Sequence, residues 1–578
     1  MSQKKLKKLK SISLELKKVD KEREVTVKSP SVAEIFKKDW WFVASIVVIL
    51  LGIFYNAFGG DFVSDDYATI AQNPDVANVG ILGSKMLVSS YLANTLVGKF
   101  FGVIPLPYHM FSILLFILIV VLSFILAYKL FGRGLALIGT LFFAVHPIHV
   151  EAVSWISGKP YLFIGLFLVI IMLLFVAYME TRKWWLLALM GLVFLEAFLT
   201  DNPRPFSIFA LLPLVFILKG YKVDRATMWK LIGLVVGAGF LFLLFAWPHI
   251  THRIEAVNGG INSSGSIFYD PFFQYPTGIA KYLQLLLVPV DLTLYHTMFV
   301  LPVWLNWAIF LTYFGTIVYF YFKDKRIFFS LAFVLVAILP SMAPIKVSWL
   351  VAERYAFLAS WGWCMFMAIM ALKMWKYHNV AGGVVIVVLS VVFGWRLVIR
   401  NMDWQTNHKL WVNTCQVSPN SHNAWNNIGD DYDKLKDYPN AVKGFTQSVL
   451  VKPNYADAYH NRANILFKTG RLDLAREMYE TGLRFSPGLY QSYISLVQID
   501  LMEKRGQEAL GHLEGMAKIE PNNPQTWYVA SIVFDSLGDR AKALEATKRA
   551  LTINANFGPA REMYLKLTSE SDEKNPVN

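Results

Sequence analysis

The chain has 578 residues, 55% of them hydrophobic and 17% charged, with a mean hydropathy of +0.43, which excludes an ordinary water-soluble domain and a disordered chain. Two well-separated cysteines, Cys364 and Cys415, exclude a disulfide framework and a thiolate metal site, and leave the redox compartment unread. The net charge of +14 is locally concentrated, with lysines crowding the segment from Lys4 to Lys28; beside a hydrophobic segment this reads as a cytoplasmic retention signal or anionic-lipid contact, not as a nucleic-acid arm.

Residues 1–38 therefore form a basic cytoplasmic tail, too long an n-region for a cleavable signal peptide. A helix needs about 20 apolar residues to cross the hydrocarbon core, and such runs recur over 39–400. They predict about 11 spans, near 40–58, 109–130, 134–147, 160–179, 184–200, 205–219, 229–248, 303–322, 328–344, 350–372 and 379–397. The proline-bounded run 276–290 reads as a re-entrant or interfacial helix. Short basic loops stay on the cytoplasmic side, and those holding Lys129 and Arg133, Arg182 and Lys183, Lys219 to Arg225, Lys323 to Arg326, and Lys373 with Lys376 all fall on the side of the N-terminus. An odd number of crossings then exports everything after the last span, to the periplasm of a bacterium or the lumen of a eukaryotic endoplasmic reticulum.

Beyond the last span, Pro419, Pro453, Pro487 and Pro521 recur every 34 residues, which is the tetratricopeptide period. Trp425, Tyr459, Tyr493 and Trp527 keep the same phase, as do Ala441, Ala475, Ala509 and Ala543. An α-solenoid over 401–570 follows, with repeats near 422–455, 456–489, 490–523 and 524–557 and an extra packing helix from 403–418. Such arrays bind extended peptides in a concave groove. Asn426, Asn427, Asn461 and Asn464 lie on the first helices of the first two repeats, where their amides either meet a peptide backbone or are simply solvated.

Polar chemistry gathers in the loops assigned to the exported side. Asp65 and Asp66 follow the first span; alone they read equally as the N-cap of a short helix at 67–72 or as a wet carboxylate site. The next turn carries His146, His149, Glu151 and Lys159, but Pro147 breaks the helix that could align the histidines, so substrate or structural hydrogen bonding is preferred to a metal. Asp201 and Arg204 come next, then Lys346, Glu353 and Arg354, the last two inside the start of an apolar helix, facing a polar cavity or paired between helices. Carboxylates and convergent cations at one membrane face suit transfer of a sugar from a polyprenyl phosphate. The phosphate leaving group needs a cation, and the acceptor hydroxyl needs a positioned base.

The motifs "SDDYATIAQNPDV", "FFAVHPIHVEAVSWISGK", "PVDLTLYH" and "VAERYAFLAS", with repeats directly after the last span, resemble the transmembrane and tetratricopeptide-containing O-mannosyltransferases, including bacterial relatives, of the GT-C glycosyltransferase class. The resemblance implies an all-α, polytopic GT-C bundle and inverting transfer of a sugar, mannose in the family, from a polyprenyl- or dolichyl-phosphate donor to a protein hydroxyl, with no metal or further cofactor. It implies Asp65 as catalytic base supported by Asp66, and Arg354 at the donor phosphate with Arg204, Lys159 and Lys346 beside it. His146, His149, Glu151 and Glu353 would line the site. Two stretches depart from the family: "TDNPRP" stands where a Lys-Glu pair is usual, so Arg204 stands in for that lysine or the donor head group differs, and "SSYLANTLVG" replaces an Arg-Pro motif. The competing reading is a non-catalytic anchor for a peptide-binding solenoid; a transporter is disfavoured by charges gathered at one face rather than at the bilayer midplane.

Overall fold

The computed structural model describes residues 30–76, 89–200, 204–245, 270–342 and 349–574. It divides into two units, one of residues 1–292 and 300–406 and the other of residues 293–299 and 407–578.

The first unit is a helix bundle. A Ser31–Glu34 capping box opens α1 (Val32–Ile53), and the short α2 (Ser89–Phe101) precedes α3 (Pro105–Phe131). α4 (Arg133–Val145) is followed by a bend of 52° at Pro147, as the ring requires, and then by α5 (Val150–Ser154). There follow α6 (Lys159–Thr181), α7 (Trp185–Phe198), α8 (Ile208–Lys219), α9 (Arg225–Phe245), α10 (Pro271–Leu287), α11 (Val303–Lys323), α12 (Lys325–Ile338), α13 (Glu353–Tyr377) and α14 (Asn379–Asp403). Each of the eleven segments expected to span contains a helix, with 246–248 and 343–344 outside the described residues. Among the described residues six helices are long and apolar enough to cross a membrane, or seven if the bent pair counts as one. The run 276–290 falls on α10, which Asp270 caps.

α3, α4, α6, α12 and α13 form the packed centre, while α11 and α14 leave most of their apolar surface uncovered, as helices against lipid do. Several basic loops meet at one end of the bundle. Arg133 makes a forked contact with the buried Asp39 at 2.7 and 2.9 Å, Lys129 pairs with Glu180 at 3.4 Å, and the Lys219 ammonium donates to the Lys129 carbonyl at 3.0 Å.

The second unit is a solenoid. The predicted extra helix is α15 (Asn407–Val417), and the four repeats are the pairs α16 (His422–Lys434) with α17 (Tyr438–Val451), α18 (Ala456–Lys468) with α19 (Leu472–Phe485), α20 (Tyr490–Met502) with α21 (Gly506–Ile519), and α22 (Pro524–Ser536) with α23 (Arg540–Ile553). A final helix, α24 (Gly558–Lys574), covers the last pair. The in-phase aromatics lock the turns: Trp425, Tyr459 and Trp527 donate to the carbonyls of Pro419, Pro453 and Pro521 at 2.8, 3.0 and 2.8 Å. Gly429 and Gly444 let the first pair close up, since a Cβ on Gly444 would stand 2.9 Å from the Gly429 backbone.

Candidate active site

The acidic loop is anchored before it reaches its carboxylates. Asn56 donates to the Val398 carbonyl at 3.0 Å, shares a buried amide network with Asn401 and Ser154, and accepts from Gln405 at 3.1 Å; the Asp61 amide donates to the Gln405 carbonyl at 2.9 Å. Ser64 then takes a left-handed backbone conformation (φ 53°), which a residue with a side chain adopts only when its surroundings hold it there. The next two side chains go opposite ways: Asp65 is exposed and Asp66 is fully buried.

Asp66 does not cap the turn at Tyr67–Ala71, so the cap reading fails for it. Its carboxylate accepts instead from the Ser157 amide (2.7 Å), the Ser157 hydroxyl (2.5 Å) and the Val63 amide (3.1 Å). Burial pushes this carboxyl up to about 6, against the pull of those hydrogen bonds and of the Lys159 charge. Although solvent reaches Asp65, the protein atoms crowding its carboxyl desolvate it enough to raise it, and the opposing pull comes from the charge of Arg354.

Arg354 and Glu151 form a buried ion pair, and Glu151 also accepts the Arg354 backbone amide at 2.7 Å. The Arg354 Nε donates to the Tyr161 hydroxyl at 3.3 Å, and its guanidinium lies 4.9 Å from the Tyr355 ring centre and 5.2 Å from that of Trp155. Arg204 stacks at 4.0 Å on Tyr355 and 4.9 Å on Tyr161, and donates to Ser341 at 2.8 Å. Two arginines thus share two tyrosine rings. Glu353 faces away from this pair and binds Arg400 at 2.9 Å, with both side chains fully buried. Lys159 stands apart, over the Tyr108 ring at 5.0 Å and behind Asp66. Lys346 and Asp201 lie outside the described residues.

The histidines turn to separate partners. His146 bonds the Leu286 carbonyl at 3.0 Å and accepts from the Ile148 amide, while His149 bonds Ser360 at 2.8 Å. With Glu151 on Arg354, these three side chains do not converge, and no group of three metal-ligating residues occurs among the described residues. Ser157, Tyr161, Tyr355 and Arg400 were not singled out in the sequence. Only the tyrosines next to "ERY" and "GKPY" gave a local hint, as aromatic neighbours of charged groups.

In the solenoid Asn461 donates to Asn426 at 3.0 Å across repeats, and Asn464 bonds Tyr479 at 2.6 Å and His460 at 3.1 Å. Asn427 donates to the Tyr295 hydroxyl at 3.4 Å.

Comparison with known proteins agrees with both halves of the chain. A family model described as "Tetratricopeptide repeat" matches residues 456–488. The human protein O-mannosyl-transferase TMTC3 is 23% identical over 89% of the chain and 68% of its own length, and the Caenorhabditis elegans protein O-mannosyl-transferase F38B6.6 is 25% identical over 71% of the chain and 63% of its own length. The chain is a relative of the protein O-mannosyl-transferases. The resemblance read from its motifs is borne out, and the chain spans about two thirds of the length of these relatives. Xenopus laevis tmtc2 is 32% identical over a shorter stretch, 24% of the chain and 19% of its own length. Among solved structures, MamA covers 30% of the chain and 86% of its own at 14% identity and a TM-score of 0.24, and the tetratricopeptide protein YrrB covers 27% and 80% at 17% and 0.24.

Proposed function

We propose that the chain is an inverting membrane glycosyltransferase of GT-C type, moving a sugar, mannose by the relatives' names, from a polyprenyl-phosphate donor to a hydroxyl of a protein acceptor. What supports this reading is an exposed carboxylate, Asp65, on a loop anchored to the bundle and within the electrostatic reach of Arg354, which Glu151 holds in a buried ion pair. Asp65 takes the acceptor proton as the hydroxyl attacks the anomeric carbon. The lipid phosphate leaves as an anion stabilised by Arg354 and Arg204, whose shared tyrosine faces keep both guanidiniums from wandering. Glu151 orients Arg354, and Asp66 fixes the loop through Ser157. The basic loops near the start of the first span support a cytoplasmic N-terminus, and an exported Asp65 loop and solenoid belong to the same proposal. The solenoid engages the acceptor or a partner protein.

The test is sugar transfer by purified protein from labelled polyprenyl-phosphate sugars to hydroxyl-bearing peptides. Wild type is expected to transfer, and Asp65→Asn to lose a factor of about 10²–10⁴, the usual worth of a positioned base. A wild-type protein that moves sugar from no lipid donor, while its solenoid still binds peptide, would make the chain an anchored scaffold instead.

A further inference from the structure

Within the second unit, the solenoid is accompanied by seven residues from outside the repeat region, Thr-Leu-Tyr-His-Thr-Met-Phe at 293–299, which run without helix or strand. Two of them make side-chain contacts with the start of the solenoid. The Tyr295 ring lies 5.7 Å from that of Trp411 on α15, and its hydroxyl receives the Asn427 amide from the first helix of the first repeat. Thr297 is held at two points by one side chain: the Asn420 Nδ2 donates to the Thr297 carbonyl at 3.2 Å, and the Thr297 hydroxyl donates to the Asn420 Oδ1. The first contact fixes which end of the amide is which, so the second can be made only by a threonine oxygen that still carries its hydrogen.

We propose that this end of the solenoid is a recognition site for extended segments bearing an unmodified threonine two residues after an aromatic, with residues 293–299 as its built-in occupant, and that a sugar on that threonine ends recognition. The inference rests on the reading of the chain as a transferase to hydroxyls. When the glycosidic bond forms, the hydroxyl proton leaves to the base and the oxygen becomes an ether. It then has no hydrogen for the Asn420 Oδ1, and two oxygens face each other with lone pairs only. An acceptor that displaces 293–299 is thereby held until it is modified and released afterwards.

The experiment measures binding of labelled heptapeptides of sequence Thr-Leu-Tyr-His-Thr-Met-Phe to the full-length protein in detergent, with no sugar donor present. The fifth residue is threonine, valine or O-mannosyl-threonine. Thr297→Val, which weakens the built-in occupant, is expected to bind the threonine peptide about tenfold more tightly than wild type. On that variant the valine and O-mannosyl peptides should bind about tenfold more weakly than the threonine peptide. Asn420→Ala should lose the distinction, and Asn420→Gln, which keeps the amide but misplaces it, should lose it too if the alanine variant unfolds. Equal binding of the threonine and O-mannosyl peptides, or no gain from Thr297→Val, overturns the proposal. Transfer is assayed apart from this: a protein that transfers sugar without discriminating the peptides sinks this inference alone, and one that discriminates without transferring sinks only the enzyme reading.

Discussion

Glu151→Gln isolates the contact on which the arginine depends. The substitution keeps size and shape, and its carbonyl oxygen can still accept the Arg354 backbone amide. What it removes is the negative charge beside a guanidinium that is 8% exposed, leaving it neutral partners such as the Tyr161 hydroxyl and the neighbouring ring faces. Breaking a buried pair from one side costs about 3–5 kcal/mol, and the retained amide contact returns about 1. A loss of about 3 kcal/mol is therefore expected, a factor of about 100 in the folded-to-unfolded ratio. The double variant Glu151→Gln/Arg354→Met removes both charges and should recover at least about 2 kcal/mol of the summed single losses. Denaturant unfolding in detergent of the full-length wild type, the two single variants Glu151→Gln and Arg354→Met, and the double variant measures the cycle. A cost below about 1 kcal/mol for the single variant, or strict additivity in the cycle, would refute the claim that Glu151 is what makes a buried Arg354 tolerable.

Other outcomes follow from the same geometry. Because burial raises Asp66 to about 6 from an ordinary carboxylate value, its contribution to stability is complete below about pH 4 and is lost as pH rises through 6; thermal unfolding should show this decline, and Asp66→Asn should flatten it. In the solenoid, His422 and His460 are pushed down to about 4, mainly by burial, so their contribution is present above about pH 6.5 and is lost as pH falls through 4. Circular dichroism melts between pH 7 and 4 should fall accordingly, and less steeply in His460→Gln. Gly444→Val forces a side chain into the Gly429 backbone and should cost the solenoid about 2–3 kcal/mol, read as an earlier unfolding step under urea; an unchanged midpoint would contradict the close approach.

The amino-acid sequence makes legible whatever repeats or stays local. The proline period of 34 marked the helix pairs of the four repeats, because each repeat packs mainly on its neighbours, but it did not mark the closing helix α24. Pro147 announced a break because its ring acts within one turn. Glu353 and Arg354 were correctly suspect as charges in an apolar helix, but their partners lie 47 and 203 residues away and on different helices. Adjacent in sequence, they point to opposite neighbours, and only tertiary packing decides that. The roles of Asp65 and Asp66 were likewise indistinguishable as a pair of carboxylates. What separates them is the left-handed Ser64 and the waiting Ser157, a serine that nothing in its own surroundings marked out.

The solenoid is not a contiguous stretch of chain. It borrows residues 293–299 and resumes at Asn407, so cutting the gene at the last span would yield a repeat fragment stripped of a piece it is built with. Grafting foreign repeats after Thr406 would leave the same seven residues without their host. Recombination between relatives must therefore carry the two stretches together, and repeat arrays in this architecture are expected to evolve in step with a loop more than 100 residues upstream.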